Sequence, residues 1–250
     1  MFEITVSNAD MLKNSVSVAA EIIDEGIFRI SKEGLRFVAA DRALVSVVDL
    51  RMNASAFEKI ELTEDTAVGV NMSNFVSVLR RASGSDKITL KKEDHKNKLK
   101  IIIEGSSKRR FEVPILDISE SDLPPTDKLE FSSSVEIKSD VLEQGMADAE
   151  IASDIVIFEA SSELFKIKSE GESSTSELEL EKGNPMLVKL ESSAATKSGY
   201  PLDYLKKMVK AAKLAETATI RFSSDFPMKM EFDGGDALKM SFVLAPHMIE

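Results

Sequence analysis

The chain has 250 residues, 43% of them hydrophobic and 30% charged, and its formal net charge is −11. This length accommodates two compact domains or one large one, and the negative charge disfavours general adhesion to nucleic acid or to anionic membranes. Because the chain has no cysteine, disulfides, thiolate catalysis and zinc–thiolate sites are excluded.

The N-terminus, MFEITVSNAD, has no basic region followed by an apolar run, which argues against a signal peptide. No stretch approaches the roughly 18 consecutive apolar residues that a membrane span needs. We therefore expect a soluble, cytoplasmic protein that does not contact a membrane.

The first half of the chain predicts a strand, a helix, several strands, a second helix and more strands. The first strand covers 2–7, and a helix of about four turns follows over 9–24. Short strands follow in IFRIS, GLRFVAA and LVSVVDL, before a second helix over 73–82. The strands KITLKKE, KLKIIIE and RRFEVPIL end this half.

The segment DISESDLPPTDKLEF separates the two halves. It is acidic, and Pro124-Pro125 continues neither a helix nor a central strand. We interpret 117–128 as an extended linker between an N-terminal domain, 1–116, and a C-terminal domain, 129–250.

The second half repeats the pattern of the first. A strand over 129–138 precedes a helix over 139–153, and the strands IVIFEAS, ELFKIKS and TSELELE follow. A second helix over 201–213 leads to ATIRFSS, PMKMEFD and ALKMSFVLA, with a hairpin turn predicted at 233–236.

The two halves align without gaps at an offset of 130 positions. Matched pairs are Asp10 with Asp140, Leu12 with Leu142, Ala19 with Ala149, Phe28 with Phe158 and Arg80 with Lys210. This frame predicts an internal duplication; two unrelated stretches of similar composition are the alternative. Two helices and many antiparallel strands per copy predict an α+β fold of two tandem similar domains, with helices packed on antiparallel sheet.

The second helix of each copy carries cations on its outer face. In PLDYLKKMVKAAK, Leu202, Leu205, Val209 and Ala212 form an apolar stripe. The opposite side carries Lys206, Lys210 and Lys213, with Lys207 at its edge. Lysines on exposed helix faces are often ordinary solvated surface residues. Here, however, Arg80 of the first copy occupies the helix position equivalent to Lys210, so both copies carry a cation there. Like charges four residues apart destabilise a helix by a few tenths of a kcal/mol, and a bound polyanion could offset this loss.

From end to end the chain resembles sliding clamps of the proliferating cell nuclear antigen family, archaeal members above all. The segments that carry the resemblance are MFEI, VAADRALVSVVDL, GVNMSNFVSVLRRA, the Pro-Pro linker, EGESSTSELEL, DFPMKMEF and LAPHMIE. The resemblance implies a ring of three subunits that encircles duplex DNA without reading its sequence, with helices lining the hole. It implies a processivity factor in the cytoplasm beside the nucleoid, or in the nucleus of a eukaryote, with no enzymatic activity, metal or cofactor.

The resemblance also implies which residues contact DNA and which join the subunits. The DNA-facing residues would be Lys13, Arg80, Arg81, Lys206, Lys207, Lys210 and Lys213. RRFEVPIL would pair with STSELELE of the next subunit, with ion pairs from Arg81 and Arg109 to Asp140 and Asp148. The interface residues would be Arg81, Arg109, Phe111, Asp140, Asp148, Leu178 and Leu180. The alternative is that these charges are solvated and worth about 0–1 kcal/mol each.

Partners of the family are DNA polymerase, clamp loader, flap endonuclease and DNA ligase, which insert short peptides under the linker. The matching wall is apolar, and it consists of Ala40, Leu44, Val45, Leu123, Pro125, Pro227, Val243, Ala245 and Pro246. Such residues can hold a peptide's aromatic anchors. The alternative is that some of them are ordinary core.

One feature departs from the family. The helix over 139–153 carries four acids and no cation, where family members often have basic residues. Either DNA contacts the other three helices, or this helix serves another purpose, such as a contact between subunits. A homotrimer is expected, with a heterotrimeric ring as an alternative.

Catalytic patterns are sparse in this sequence. His95 and His247 are far apart, GSSKRR lacks the Gly-Lys-Ser/Thr of a phosphate loop, and no HExxH or calcium-loop spacing occurs. The remaining alternatives are an acidic enzyme, such as a metal-dependent hydrolase with carboxylate ligands, and an acidic protein-interaction scaffold that does not encircle DNA.

Overall fold

The structure is a computed structural model that describes residues 1–6, 8–93, 96–119, 123, 126 and 128–248. It divides into two compact units. The first comprises Met1–Arg42, Val48–Leu123 and Gly234–Met240, and the second comprises Ala43–Val47, Pro124–Asp233 and Ser241–Glu250. The predicted domain limits, 1–116 and 129–250, stay a prediction. His95 and Pro125 lie outside the described residues.

The elements of the first half alternate short strands with two helices. They are β1 (Phe2–Val6), α1 (Ala9–Ala19), β2 (Glu25–Ser31), β3 (Gly34–Ala40), β4 (Ser46–Asn53), β5 (Lys59–Leu62), β6 (Thr66–Asn71), α2 (Met72–Leu79), β7 (Lys87–Lys92), β8 (Lys98–Glu104) and β9 (Lys108–Pro114). In the order β5-β1-β7-β8-β9 all neighbouring strands run antiparallel. In the order β4-β3-β2-β6, β2 runs antiparallel to β3 and to β6.

The second half has the same sequence of elements. They are β10 (Ser133–Lys138), α3 (Ser139–Ala149), β11 (Ile155–Ala160), β12 (Leu164–Glu170), β13 (Thr175–Glu181), β14 (Leu187–Ser192), β15 (Thr196–Pro201), α4 (Leu202–Met208), β16 (Thr217–Phe222), β17 (Met228–Asp233) and β18 (Leu238–Leu244). The strand orders are β14-β10-β16-β17-β18 and β13-β12-β11-β15, and residues 241–244 of β18 belong to the second unit.

The two halves therefore share both element positions and strand order. The helices α1 and α3, and the strand pairs β6 with β15, β7 with β16 and β9 with β18, are each separated by 130 positions. The predicted α+β fold of two tandem similar copies is confirmed.

Some element limits differ from the predictions. Helix α1 ends at Ala19, yet Ile23 of the following turn is still buried, so the apolar stripe outlasts the helix. Similarly, α3 ends at Ala149, and the predicted helix over 201–213 is α-helical only to Met208 and continues as a 3-10 helix over Val209–Leu214. Strand β10 begins at Ser133, four residues after the predicted start.

Two strands per copy were not predicted, namely β5 and β6 in the first half and β14 and β15 in the second. Strands β6 and β15 each contain a glycine, which usually weakens a strand pattern. The glycine is required because another segment passes closely: a Cβ on Gly69 would lie 2.3 Å from the carbonyl oxygen of Leu116. Gly199 makes the corresponding bridge with His247.

The helices of each unit cover one face of the strands. In the first unit the ring of Phe28 on β2 meets the ring of Phe75 on α2, with centroids 5.5 Å apart. Because side chains alternate along a strand, Arg29 points to the opposite face. Within the described part of the chain, no helix has the length and apolar character of a membrane span.

Candidate functional site

The first unit presents three predicted DNA-facing cations on its helix layer. Helix α1 packs against α2, and Leu12, Phe75 and Leu79 are buried. On the outer side, Arg80 and Arg81 are exposed.

Lys13 is the third of these cations, and it joins α1 to the segment that follows α2. Its ammonium group lies 2.5 Å from Asp10 and donates a hydrogen bond to the carbonyl oxygen of Ala82 at 3.3 Å. Lys13 is therefore a cation whose position is fixed by contacts within the unit.

The second unit carries its cations on α4 and on the 3-10 helix that follows. Lys210 and Lys213 are both exposed. Residues three apart in a 3-10 helix lie on the same side, so these two lysines share one edge. The ammonium group of Lys207 lies 5.2 Å from the ring centroid of Tyr204, in cation–π range.

Lys206 is paired with an acid, Glu150, which lies at the end of α3. The carboxylate of Glu150 offsets part of the repulsion between Lys206 and Lys210, which are four residues apart. The corresponding positions of the first copy, 130 residues earlier, are Ala20 and Val76. One role of the acidic segment over 139–153 is therefore to form an ion pair with Lys206.

The strands predicted to join subunits lie at sheet edges. Strand β9 ends the order β5-β1-β7-β8-β9, and β13 ends the order β13-β12-β11-β15. On these strands Phe111 and Leu178 are half-buried, whereas Leu180 is buried. The charged side chains of β9 are mostly basic and those of β13 are all acidic, so the two edges have opposite charge.

Two of the charged residues predicted to reinforce this joint, Arg109 and Asp140, have partners within the chain. Arg109 donates to Asp86 Oδ2 and to the carbonyl oxygen of Arg81, both at 2.8 Å. Asp140 Oδ1 accepts the backbone N–H of Val141 at 2.9 Å. Asp148 is exposed on α3. Their role between subunits stays a prediction.

The acids of β13 form a charge network with β12. The ammonium group of Lys166 contacts Glu177 at 2.9 Å and also contacts Glu179, while Lys168 contacts Glu177 at 3.0 Å. The contact with Glu179 and the hydrogen bonds donated by the ammonium groups of Lys166 and Lys168 lower the pKa of Glu177 to about 2. Contacts with Glu179 and Glu177 raise the pKa of Lys166.

The residues of the predicted partner groove fall in both units, and each unit is described separately. In the second unit the backbone N–H of Ala245 donates to the carbonyl oxygen of Val45 at 2.9 Å. Leu44 has a left-handed backbone, with φ at 56°, and its side chain is 63% exposed. Half-buried in the same unit are Val45, Pro227, Val243, Ala245 and Pro246.

In the first unit, Ala40 and Leu123 line one cavity of about 280 Å³. Ile27, Val38 and Ile118 contribute to its apolar wall. Pro125 lies outside the described residues. Among the residues that the structure describes, no group of three or more His, Asp or Glu side chains is arranged to hold a metal ion.

Comparisons with known proteins cover both copies. The family model for the N-terminal domain of proliferating cell nuclear antigen matches residues 1–123, and the model for its C-terminal domain matches 126–247. The chain belongs to the proliferating cell nuclear antigen family. Family membership explains the duplication, since each copy of the repeat corresponds to one family domain.

Members of the proliferating cell nuclear antigen family from archaea are similar over their full length. The DNA polymerase sliding clamp of Thermococcus fumicolans is 35% identical over 249 residues, covering 99% of this chain and 98% of the relative. That of Pyrococcus furiosus is 35% identical over 251 residues, covering 100% and 99%. The crystal structure of PCNA from Thermococcus kodakaraensis has a TM-score of 0.90 at 26% identity, covering 99% of this chain and 100% of that one.

Proposed function

We propose that this chain is a DNA polymerase processivity factor, a sliding clamp that encircles duplex DNA and tethers replication enzymes to it. The observation that carries the proposal is the full-length similarity to archaeal DNA polymerase sliding clamps. The exposed cations on the helix layer of each unit agree with it, because a chain of net charge −11 otherwise repels phosphate. The protein has no catalytic activity of its own.

The ring forms by pairing of β9 with β13 of the next subunit. The first unit contains the model for this joint: the N–H of Asn53, at the end of β4, donates to the carbonyl oxygen of Ala237, just before β18, at 3.0 Å. In the duplication β18 corresponds to β9, and β4 corresponds to β13 to within two residues. Strands β9 and β13 are thus the edge counterparts of two strands whose adjoining ends, at Asn53 and Ala237, are hydrogen-bonded within the first unit.

The opposite charges of these edges fit a ring of identical chains, which we propose to be the homotrimer that the family resemblance implies. Since each chain offers one basic and one acidic edge, identical chains associate head to tail, and such a contact closes into a ring when the rotation per subunit allows it. No second kind of subunit is needed to supply a complementary edge.

Contacts with DNA are electrostatic and independent of sequence. Lysine and arginine side chains bind phosphates without reading bases, and a small number of such contacts lets the protein slide. We propose, as the family resemblance implies, that the protein works beside the nucleoid in the cytoplasm.

Replication and repair enzymes bind through short peptides at the groove residues. The partners are DNA polymerase, clamp loader, flap endonuclease and DNA ligase. Apolar side chains such as Leu44 and Pro246 would receive the aromatic anchors of the peptide.

Primer extension on a singly primed circular template tests the function. With polymerase and clamp loader present, the chain should lengthen the products of each binding event, and the effect should disappear on a short linear template from which a ring slides off. Native mass spectrometry should give three copies. A monomer that leaves product length unchanged would overturn the proposal.

A further inference from the structure

Ser83 lies just after α2, and two arginines precede it. Arg80 and Arg81 occupy the positions three and two residues before Ser83, and all three residues are exposed. No other serine or threonine in the sequence has basic residues at both of these positions. Protein kinases select their substrates partly by such charge patterns. We propose that Ser83 is a phosphorylation site for a serine kinase that recognises basic residues, and that its phosphate weakens the joint between subunits.

The modification itself needs an exposed hydroxyl group and a nucleoside triphosphate. The Oγ atom of Ser83 forms a bond to the γ-phosphorus, while the bond from that phosphorus to the oxygen of the leaving nucleoside diphosphate breaks. The proton of the hydroxyl group passes to a base of the kinase. The product carries a charge of about −1.5 to −2 at pH 7 and three acceptor oxygens.

The duplicated copy shows that a large charged side chain fits at this position. Ser83 corresponds to Lys213, which is exposed in the last turn of the 3-10 helix Val209–Leu214. A lysine side chain is much larger than a hydroxyl group, so the fold leaves space toward solvent at this place. A phosphate on Ser83 can therefore be accommodated without any change in the core of the first unit.

Ser83 and Asp86 close a turn by exchanging hydrogen bonds. The N–H of Ser83 donates to Asp86 Oδ2 at 3.1 Å, and the N–H of Asp86 donates to the carbonyl oxygen of Ser83 at 3.0 Å. Hydrogen bonds from the backbone and the side chain of Ser83 lower the pKa of Asp86, so this carboxyl group is ionised at neutral pH. Phosphorylation replaces the side-chain donor with an anion beside this carboxylate.

A second carboxylate lies on the same turn. A Cβ on Gly84 would be 2.3 Å from Asp10 Oδ2, so the Asp10 side chain is packed directly against this glycine. A phosphate next to acidic side chains, or at the C-terminal end of a helix, disrupts local structure by repulsion. Ser83 combines both conditions, because it follows the last turn of α2. The phosphate should therefore open the turn, and the inference depends on repulsion rather than on capture of the phosphate by a cation.

Asp86 connects this turn to the edge strand β9. Its Oδ2 atom also accepts from Arg109 Nη2 at 2.8 Å, and Arg109 Nη1 donates to the carbonyl oxygen of Arg81 at 2.8 Å. Because one carboxylate oxygen contacts both Ser83 and Arg109, a displacement of Asp86 changes the position of the Arg109 side chain. The phosphate is thus coupled to the basic edge of the first unit.

The effect on assembly rests on the proposed function, in which β9 joins β13 of the next subunit. Arg81 and Arg109 are the cations predicted to face Asp140 and Asp148 across this joint. A phosphate on Ser83 adds negative charge beside the two arginines, so the acidic side of the joint meets a weaker attraction. Phosphorylation should therefore shift the protein from rings toward monomers.

The first test treats the folded, full-length protein with ATP and a purified kinase that prefers serine after paired arginines. Mass spectrometry of proteolytic peptides should locate one phosphate, on Ser83. Ser83→Ala should take up none, and Arg80→Gln should be phosphorylated at least about tenfold more slowly, because the kinase loses one of the charges that it recognises. Ser85→Ala, which changes an exposed serine two residues further along, is the matched control and should be phosphorylated like the wild type.

The second test measures assembly by sedimentation. The phosphorylated wild type should associate at least about tenfold more weakly than the untreated protein, whereas kinase-treated Ser83→Ala should behave like untreated protein. Ser83→Asp adds negative charge without a kinase and should weaken association in the same direction. Ser162→Asp adds the same charge at an exposed position between β11 and β12, and it should leave association unchanged.

Three results would overturn the inference. They are a folded protein that takes up no phosphate on Ser83 while a peptide of residues 77–88 is phosphorylated, equal uptake by Ser83→Ala, and unchanged association of protein that carries the phosphate. Primer extension with the untreated protein distinguishes this failure from failure of the proposed function. A chain that forms rings and supports processivity, but whose assembly is insensitive to the phosphate, would refute the phosphorylation switch alone.

Discussion

Arg109 Nη2 donates to Asp86 Oδ2 at 2.8 Å, which ties the edge strand β9 to the segment that follows α2. The same carboxylate accepts the N–H of Ser83 at 3.1 Å, and this bond, together with the charge of Arg109, lowers the pKa of Asp86. Arg109 is therefore part of the internal structure of the first unit as well as a predicted interface residue.

Arg109→Ala should lower the melting temperature by a few degrees even under conditions that keep the protein monomeric, because the buried Asp86 loses its cationic partner. Arg110→Ala, on the exposed side of the same strand, is the matched control and should melt like the wild type. Equal melting temperatures for both variants would show that the Arg109 contact contributes nothing to folding. Differential scanning calorimetry in high salt makes the measurement.

Low pH should destabilise the second unit, because Glu177 becomes protonated and loses its ion pairs. Its pKa is about 2 in the folded protein, against an ordinary value of 4.5. A carboxyl group with a lowered pKa contributes its stability above the ordinary value and loses it as the pH falls toward the folded value. We therefore expect the melting temperature to fall between about pH 4.5 and 2, and to fall less in Glu177→Gln. Parallel slopes for the two proteins would contradict this assignment.

The sequence predicted the fold class and the duplication because both depend on patterns that a single chain displays. Apolar spacing located α1 to α4, and the offset of 130 positions related the two copies. It missed β6 and β15, whose glycines are explained only by the backbone that passes over them, as Leu116 does at Gly69. It also extended the helix beyond Met208, since spacings of three fit a 3-10 helix as well as an α-helix.

The sequence did not predict contacts between residues that are far apart in the chain. Lys206 and Glu150 are 56 positions apart, and no spacing rule links them.

Leu44→Arg should abolish binding of a partner peptide without unfolding the protein. Its side chain is 63% exposed, so the substitution removes little core packing while placing a charge in the predicted groove. Calorimetric titration with a peptide that contains glutamine, an aliphatic residue and two aromatics makes the measurement, with Val188→Arg, on edge strand β14, as a control. Unchanged affinity would reject this position of the groove.

Phe111→Asp on β9 and Leu178→Asp on β13 should each give monomers, because either change places a charge in the proposed joint between subunits. Val188→Asp on β14, another edge strand with an exposed apolar residue, is the control and should not change the assembly. High salt should also favour monomers in the wild type, since it screens the opposite charges of the two edges. Sedimentation that is indifferent to both salt and the two substitutions would argue against this joint.

The pairing of Lys206 with Glu150 predicts that the contribution of Lys206 to DNA binding depends on Glu150. Glu150 competes with phosphate for Lys206, so Lys206→Ala should change DNA affinity less in the wild type than in Glu150→Gln. The logarithm of the binding constant falls with the logarithm of salt concentration by about 0.9 per phosphate contact. The double variant at 210 and 213 should therefore reduce this slope by up to about 1.8.

Removing the competitor should have the opposite effect. In Glu150→Gln the ammonium group of Lys206 becomes available to phosphate, so the protein should bind DNA more tightly and its salt slope should rise by about 0.9. Tighter contact should also slow diffusion along the duplex, which single-molecule tracking of the loaded protein measures. Glu191→Gln, on β14, removes an acid that pairs with Lys189 and serves as the control for net charge. If Glu150→Gln and Glu191→Gln strengthened DNA binding equally, the effect would come from total charge, and Lys206 would have no specific role in contacting DNA.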